Sequence, residues 1–144
     1  MATVDITDNT AEVLAALSRA SARALEIIGG KAESYAKGLA PVDTGALRNS
    51  ITHKADGGTM IVGSNIEYAP YIELGTGKEY SPPPDWIENN AKRGRGLDKW
   101  YYKDKLTGEW HVGFPQKPRP FLRPSIEDHV QEYKAIAEAE LKKG

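Results

Sequence analysis

The stretch that decides the fold runs from residue 40 to residue 51 and reads APVDTGALRNSI. Proline lacks the backbone N–H and disfavours helix at the residue before it, so Pro41 predicts the end of a preceding helix. Asp43 or Thr44 then suits the N-cap of a short helical turn from Gly45 to Arg48. We therefore interpret the stretch as a corner between a long helix and a sheet.

Asp43-Thr44-Gly45 is also the catalytic triplet of aspartic proteases, which need two carboxylates sharing one proton on a largely β scaffold. This chain has one such triplet, placed between two predicted helices, so a helix cap is the better interpretation. The histidines are far apart, and neither a phosphate-binding loop nor a nucleophile elbow is present. We predict no catalytic residue, no metal and no cofactor, and the chain is not expected to be an enzyme.

Upstream of the corner, apolar residues recur at spacings of three and four, which indicates one buried helical stripe. Asp8 or Asn9 can cap the start of this helix. Gly29-Gly30 inside the pattern marks a kink, a break or a close approach by another segment. We expect one helix over 9–39, bent near the glycines, with a stripe of Val13, Leu14, Leu17, Ala24, Leu25, Ile28, Ala32, Tyr35 and Leu39.

Downstream, β-prone runs on either side of Gly57-Gly58 predict a hairpin. YAPYIELGTG, residues 68–77, is predicted to be a packed helical turn that a proline opens and glycines close. A final helix is expected from Pro124 to Lys142. Its predicted stripe is Ile126, Val130, Tyr133, Ala137 and Leu141.

Residues 78–116 differ in character and look like an insertion on a smaller core. Three consecutive prolines at 82–84 precede a predicted short helix, and alternating aromatic and polar residues around Thr107-Gly108 predict a second hairpin. We expect this hairpin to carry its large apolar residues on one face: Trp100, Tyr102, Trp110, Val112 and Phe114.

Composition places the chain among soluble single-domain proteins. It has 144 residues, 40% of them hydrophobic and 27% charged. The absence of cysteine excludes disulfides and thiolate zinc sites. The acidic N-terminus is not a secretory signal, and no apolar run is long enough to span a membrane. We expect one domain over 1–144, no membrane partner, and assembly in the cytoplasm.

The charge is unevenly distributed, because residues 78–123 hold 10 Lys and Arg against 6 Asp and Glu while both flanks are acidic. An ordinary solvated loop can carry such an excess. The alternative is a nucleic-acid-binding module over 92–105, in which cations neutralise phosphates beside stacking aromatics. Its candidate residues are Lys92, Arg93, Arg95, Lys99, Lys103 and Lys105.

Three short blocks together resemble one family. APVDTGALRNSI, YAPYIELGTG and RPFLRPSI stand in the order and spacing of phage head–tail connector proteins of the tail-completion group, the gene-product-ten-like proteins of HK-ninety-seven type. The matching positions are Asp43, Thr44, Gly45, Leu47, Arg48, Tyr68, Ala69, Tyr71, Glu73, Gly75, Thr76, Arg119, Pro120, Phe121, Leu122, Arg123 and Pro124.

The resemblance implies an α+β virion structural protein: a long N-terminal helix and a C-terminal helix packed on a small, mostly antiparallel sheet, with the inserted hairpin as an arm. It would form a ring, expected to be hexameric, at the virion neck between the DNA-filled head and the tail. Its partners would be further copies of itself and the neighbouring connector, tail-tube or tail-terminator proteins, with DNA as passing cargo. Whether it faces the connector or caps the tail tube stays open.

Within the blocks, we expect Leu47, Tyr71 and Phe121 to anchor the core, and Arg48 and Glu73 to form an ion pair that fixes one turn against another. The inserted segment is the candidate partner surface. It either orders on assembly as an arm or packs into the core of its own chain. Its candidate interface residues are Trp86, Arg93, Arg95, Trp100, Tyr101, Tyr102, Trp110 and Phe114.

Overall fold

The computed structural model describes residues 3–42, 45–75 and 99–143, and it confirms an α+β fold. The N-terminal half contains a long helix, a short helix, a hairpin and a second short helix. A second hairpin and two C-terminal helices follow. The elements are α1 (Thr10–Leu39), α2 (Ala46–Ser50), β1 (Thr52–Asp56), β2 (Thr59–Gly63), α3 (Ala69–Leu74), β3 (Trp100–Lys103), β4 (Trp110–Gly113), α4 (Leu122–Glu127) and α5 (Val130–Lys142).

Helix α1 is one continuous helix, as predicted, and it runs through Gly29-Gly30 without a break. Of the two candidate caps, Asp8 makes the contact: its Oδ1 accepts the Thr10 N–H at 2.9 Å and the Thr10 hydroxyl at 2.5 Å. Asn9 occupies the N-cap position without a side-chain bond. At the other end, Ala40 is extended, which is the conformation favoured before Pro41.

The two glycines of α1 have different surroundings. A Cβ added at Gly29 would lie 3.0 Å from His53 Cγ and 3.1 Å from Met60 Cγ, and closer still to His53 Cδ2. Nothing lies within 4 Å of the corresponding position at Gly30. Of the alternatives for Gly29-Gly30, the close approach by another segment is therefore the one found, and only Gly29 makes it.

We expect Gly29→Ala to lower the free energy of unfolding by about 2 kcal/mol, because an added methyl group overpacks against a ring held between two elements. Gly30→Ala is the matched control, and it should raise stability by about 0.5–1 kcal/mol through the higher helix propensity of alanine. Urea unfolding of both variants measures the difference. Equal effects of the two substitutions would contradict the close contact.

The first predicted hairpin is confirmed, with β1 and β2 antiparallel from Thr52 opposite Gly63 to Asp56 opposite Thr59. Gly57 and Gly58 both have positive φ, 57° and 83°. Two positive φ values define the tight turn whose twist matches the flanking strands, and glycine reaches them without strain.

The second hairpin is also confirmed, and β3–β4 forms a separate two-stranded sheet. Its predicted single apolar face is wrong. Tyr102 stands opposite His111, whereas Trp110 stands opposite Lys103 and Val112 opposite Tyr101. Directly opposed residues share a face, so Tyr102 lies on one face and Trp110 and Val112 on the other.

The C-terminal helix differs from its prediction. It begins at Leu122, so that Pro124 lies in the first turn, and it is interrupted at Asp128 and His129. The His129 ring stacks on Tyr35 of α1, with centroids 3.6 Å apart and planes 2° apart.

The predicted apolar stripe of this helix is buried only in part. Val130 and Leu141 are exposed. Tyr133 is buried where α5 meets α1, and its hydroxyl donates to the Ser125 carbonyl. Glu140 is buried as well.

The core lies along α1 in two clusters. Near the C-terminal end of α1 are Ala36, Ala40, Leu47, Ile51, Ala69 and Phe121, which we call the corner cluster. The second cluster joins Ile28 and Ala32 to Tyr133. No helix of the described residues has both the length and the apolar character required to cross a membrane.

The predicted α1 stripe is covered only in part. Ala24, Ile28 and Ala32 are buried, whereas Val13, Leu14 and Leu17 are exposed, as is Leu39 at the other end. Helix α5 runs antiparallel to α1, with Lys31 paired to Glu132 and Arg23 to Glu140, and it ends at Lys142. The first turns of α1 therefore extend beyond the helix that packs against it.

Candidate functional site

The three motif blocks, which are distant in sequence, meet at one corner of the molecule. The corner cluster takes Leu47 and Ile51 from the first block, Ala69 from the second and Phe121 from the third. Phe121 is fully buried and Leu47 is 3% exposed. Tyr71, the third expected anchor, is only half-buried.

The second and third blocks are joined by the Glu73 carboxylate. Its Oε2 accepts the N–H groups of Phe121 and Leu122 at 2.7 and 2.9 Å, and its Oε1 accepts that of Arg123 at 2.9 Å. The first N–H groups of a helix have no partner within the helix, and the helix dipole favours an anion there. Glu73 of α3 therefore caps α4 from a different element.

The predicted ion pair between Arg48 and Glu73 is wrong. Within the described residues, Arg48 makes no ion pair, and its buried Nε has no hydrogen-bond partner. The Glu73 carboxylate is directed instead at the backbone of α4. A sequence shows that a carboxylate is available but not which of two distant groups it will meet.

Gly75 is the C-cap of α3 and lies against the segment 116–118, which follows the second hairpin. It has φ 75° and ψ −177°, a region of backbone space open almost only to glycine. A Cβ there would lie 2.6 Å from the Gln116 carbonyl oxygen and 2.9 Å from Pro118 N. The Arg119 N–H also donates to the Ile72 carbonyl at 2.8 Å.

An open cavity of about 730 Å³ lies at this corner, lined by residues of all three blocks and their neighbours. Among the described lining residues there is no Asp, Glu, His or Ser. The lining is Pro41, Val42, Gly45, Leu47, Tyr68, Tyr71, Ile72, Gln116 and Arg119. Tyrosine rings with one arginine suit contact with another protein surface better than they suit chemistry.

The remaining motif residues are turn and surface positions. Gly45 is the N-cap of α2 with φ 79°, so the helical turn begins one residue later than predicted. Tyr68, Arg119, Pro120 and Arg123 are exposed. The predictions for Asp43, Thr44 and Thr76 lie outside the described residues.

The candidate interface residues that the structure describes lie on its surface. Trp110 is 69% exposed, and Tyr101, Tyr102 and Phe114 are exposed too, so these four side chains are not part of the core. Lys99, Lys103 and Lys105 are exposed beside them. The strand position of Trp100 is described; Trp86, Lys92, Arg93 and Arg95 lie outside the described residues.

An ion cluster that the sequence did not reveal centres on His53. Its Nε2 is 2.8 Å from Glu26 Oε1 and its Nδ1 is 2.5 Å from Glu33 Oε2. Carboxylates at both ring nitrogens favour the protonated imidazolium, which can donate a hydrogen bond to each of them. The hydrogen bond with Glu26 and, to a smaller extent, that with Glu33 raise the pKa of His53 above its ordinary value of 6.5. Burial of the ring acts in the opposite direction.

Glu33 belongs to the same cluster. Its pKa is lowered mainly by a hydrogen bond from Lys37 and to a smaller extent by the one from His53. The cluster joins α1 to β1 directly above Gly29, and its groups are all satisfied by one another. Within the described ranges, no group of three or more His, Cys, Asp or Glu residues is arranged to hold a metal ion. We interpret the cluster as structural.

Residues 5–75 match the model of one protein family, HK97-gp10-like, described as "Bacteriophage HK97-gp10, putative tail-component". The match confirms the predicted resemblance, and over residues 5–75 the chain is similar to that family. The matched range holds α1 to α3, and thus the first block and the second block as far as Gly75. Comparisons with curated proteins and with solved structures gave no match.

Proposed function

We propose that this protein is a structural component of the virion neck, where copies form a ring that joins the DNA-filled head to the tail. The observation that carries the proposal is the family match to a phage tail component over residues 5–75. The third block lies outside that range but packs with the first two at one corner. This packing supports assigning the C-terminal part of the chain to the same structural unit.

The chemistry of the corner supports a non-enzymatic role. Its carboxylate, Glu73, is used to cap a helix, and Gly75 fits a tight backbone approach. Both features stabilise the packing of the corner. Rings in which DNA passes as cargo need fixed surfaces for neighbouring proteins more than they need reactive groups.

Nucleic-acid binding by residues 92–105 is the second candidate. The exposed Lys99, Lys103 and Lys105 beside exposed Tyr101 and Tyr102 favour it. Asp104 and Glu109 in the same hairpin offset part of that charge. Binding dominated by phosphate contacts weakens steeply with salt, so DNA retention at low salt that disappears at moderate salt would support this function, and no retention at low salt would exclude it.

The neck role is tested by deleting the gene from the phage or prophage that encodes it and examining lysates by negative-stain microscopy. We expect separate DNA-filled heads and separate tails of normal length, with joined virions restored by the wild-type gene. Tails of abnormal, uncontrolled length would instead assign the protein to the end of the tail tube. Joined virions in the absence of the gene would refute both roles.

A further inference from the structure

The exposed first turns of α1 continue a face that is buried further along the helix. Val13, Leu14 and Leu17 stand at helical spacing from Ala20 and Ala24, so all five share one side of α1. The later residues are buried, while Leu14 is 60% exposed. Three large aliphatic side chains on one face of a projecting helix form an apolar surface, which we call the helix end.

The helix end is acidic. Asp5, Asp8 and Glu12 accompany the apolar residues, and the first basic residue of the chain is Arg19. A negative charge near the N-terminus of a helix is favoured by the dipole, which accounts for Asp8 and Glu12 in part. A partner for this surface should therefore be apolar and positively charged.

A surface of that description is present on the same protein. One face of the β3–β4 hairpin carries Tyr101 and Lys103 opposite Val112 and Trp110, and alternation places Phe114 on the same side. All five side chains are exposed. We call these residues the hairpin face.

The hairpin face has a positive character. Lys103 belongs to it, and Lys105 is exposed in the adjoining turn. The nearby Asp104 carboxylate is already used within the turn, where its Oδ1 accepts the N–H groups of Leu106 at 2.7 Å and Thr107 at 3.2 Å. Asp104 and Glu109 offset part of the lysine charge, so residues 99–114 carry three lysines against two carboxylates, a net charge of +1. This small positive excess lies next to aromatic rings that supply a large contact area.

We propose that the helix end of one copy packs against the hairpin face of a neighbouring copy. The inference rests on the proposed ring, and it names the two surfaces that build it. Because the surfaces differ, each copy offers one of each, and the contact is head-to-tail. Such a contact repeats around a closed ring, or along an open filament if the rotation does not close.

Charge disfavours the symmetric alternatives. Two helix ends facing each other would bring acidic residues together, and two hairpin faces would bring lysines together, at a cost in each case. Only the crossed contact places apolar side chains together and opposite charges at the rim.

Cysteine cross-linking tests the crossed contact directly, because the natural chain contains no cysteine. Leu14→Cys and Val112→Cys are prepared as separate proteins, each at an exposed position, and are oxidised alone and mixed at the highest concentration that stays soluble. We expect a disulfide-linked dimer in the mixture and little in either protein alone. Dimers formed as readily by one variant alone would overturn the crossed arrangement, as would a wild-type protein that stays monomeric at that concentration in sedimentation velocity.

A second pair of variants, Leu14→Ser and Trp110→Ser, gives a readout that does not depend on cross-linking. Each should weaken self-association at least about tenfold, equivalent to ~1.4 kcal/mol, with an unchanged melting temperature because both side chains are exposed. Mixed together they should form dimers and nothing larger, since one intact helix end meets one intact hairpin face. A mixture that forms no dimer overturns the proposal.

The two proposals fail in distinguishable ways. Separate heads and tails after gene deletion, together with no crossed disulfide, would leave the neck role in place and remove this interface. Joined virions after gene deletion, together with a crossed disulfide, would leave a head-to-tail self-association that serves some other assembly.

Discussion

Gly75→Ala is expected to lower the free energy of unfolding by about 4 kcal/mol, the largest effect of any single methyl group in the described chain. The backbone conformation at Gly75 costs a non-glycine residue roughly 1–3 kcal/mol. A further ~1–3 kcal/mol arises from overpacking against the backbone of residues 116–118, which cannot rotate away as a side chain can. Urea or thermal unfolding measures the loss.

Gly108→Ala is the control for that experiment. Gly108 has nearly the same φ, 74°, but nothing lies within 4 Å of a Cβ added there. We expect a loss of about 1 kcal/mol, the cost of the positive φ alone. If the two alanine variants lose equal stability, the contact between Gly75 and the returning chain contributes nothing.

Glu73→Ala is expected to cost about 2–4 kcal/mol, because it leaves the N–H groups of Phe121, Leu122 and Arg123 without their common acceptor. Loss of a helix cap costs about 0.5–2 kcal/mol, and hydrogen bonds to a charged group are worth about 1.5–3 kcal/mol each, with less at the exposed Arg123 end. Denaturant unfolding monitored by circular dichroism gives the value.

Two controls separate capping from a general effect of charge. Glu73→Gln keeps the size and one acceptor oxygen, so its loss should fall between wild type and Glu73→Ala. Glu67→Ala removes an exposed glutamate from the segment that leads into α3, and its stability should stay within ~0.5 kcal/mol of wild type. A Glu73→Ala protein as stable as the Glu67→Ala protein would contradict the cap.

Local signals in the sequence were sufficient to predict most of the elements. Gly57-Gly58 predicted a two-residue turn, and Pro41 predicted the end of α1, because both effects depend only on the backbone of neighbouring residues. The proximity of the three blocks followed from a resemblance and not from such signals. The structure supplies its physical basis in the corner cluster and the Glu73 cap.

The errors occurred where a residue's partner is distant in the chain. The face that Trp110 occupies depends on the register across a six-residue connection, and a shift of one residue reverses every side chain. An apolar stripe predicts which side of α1 is buried but not how far along α1 the packed elements extend. Val13, Leu14 and Leu17 were therefore expected to be buried, whereas they are exposed. The partner of Glu73 is likewise set by tertiary packing.

The continuity of α1 has a mechanical consequence. Its 30 residues correspond to about 45 Å of unbroken helix at ~1.5 Å per residue, with Val13 and Leu14 near one tip and Ala36 in the corner cluster near the other. Neither glycine breaks the helix, and α5 packs along its middle between Arg23 and Lys31. A displacement of the exposed tip is therefore carried along the axis to α5 and to the packing around Phe121 instead of being absorbed by a hinge.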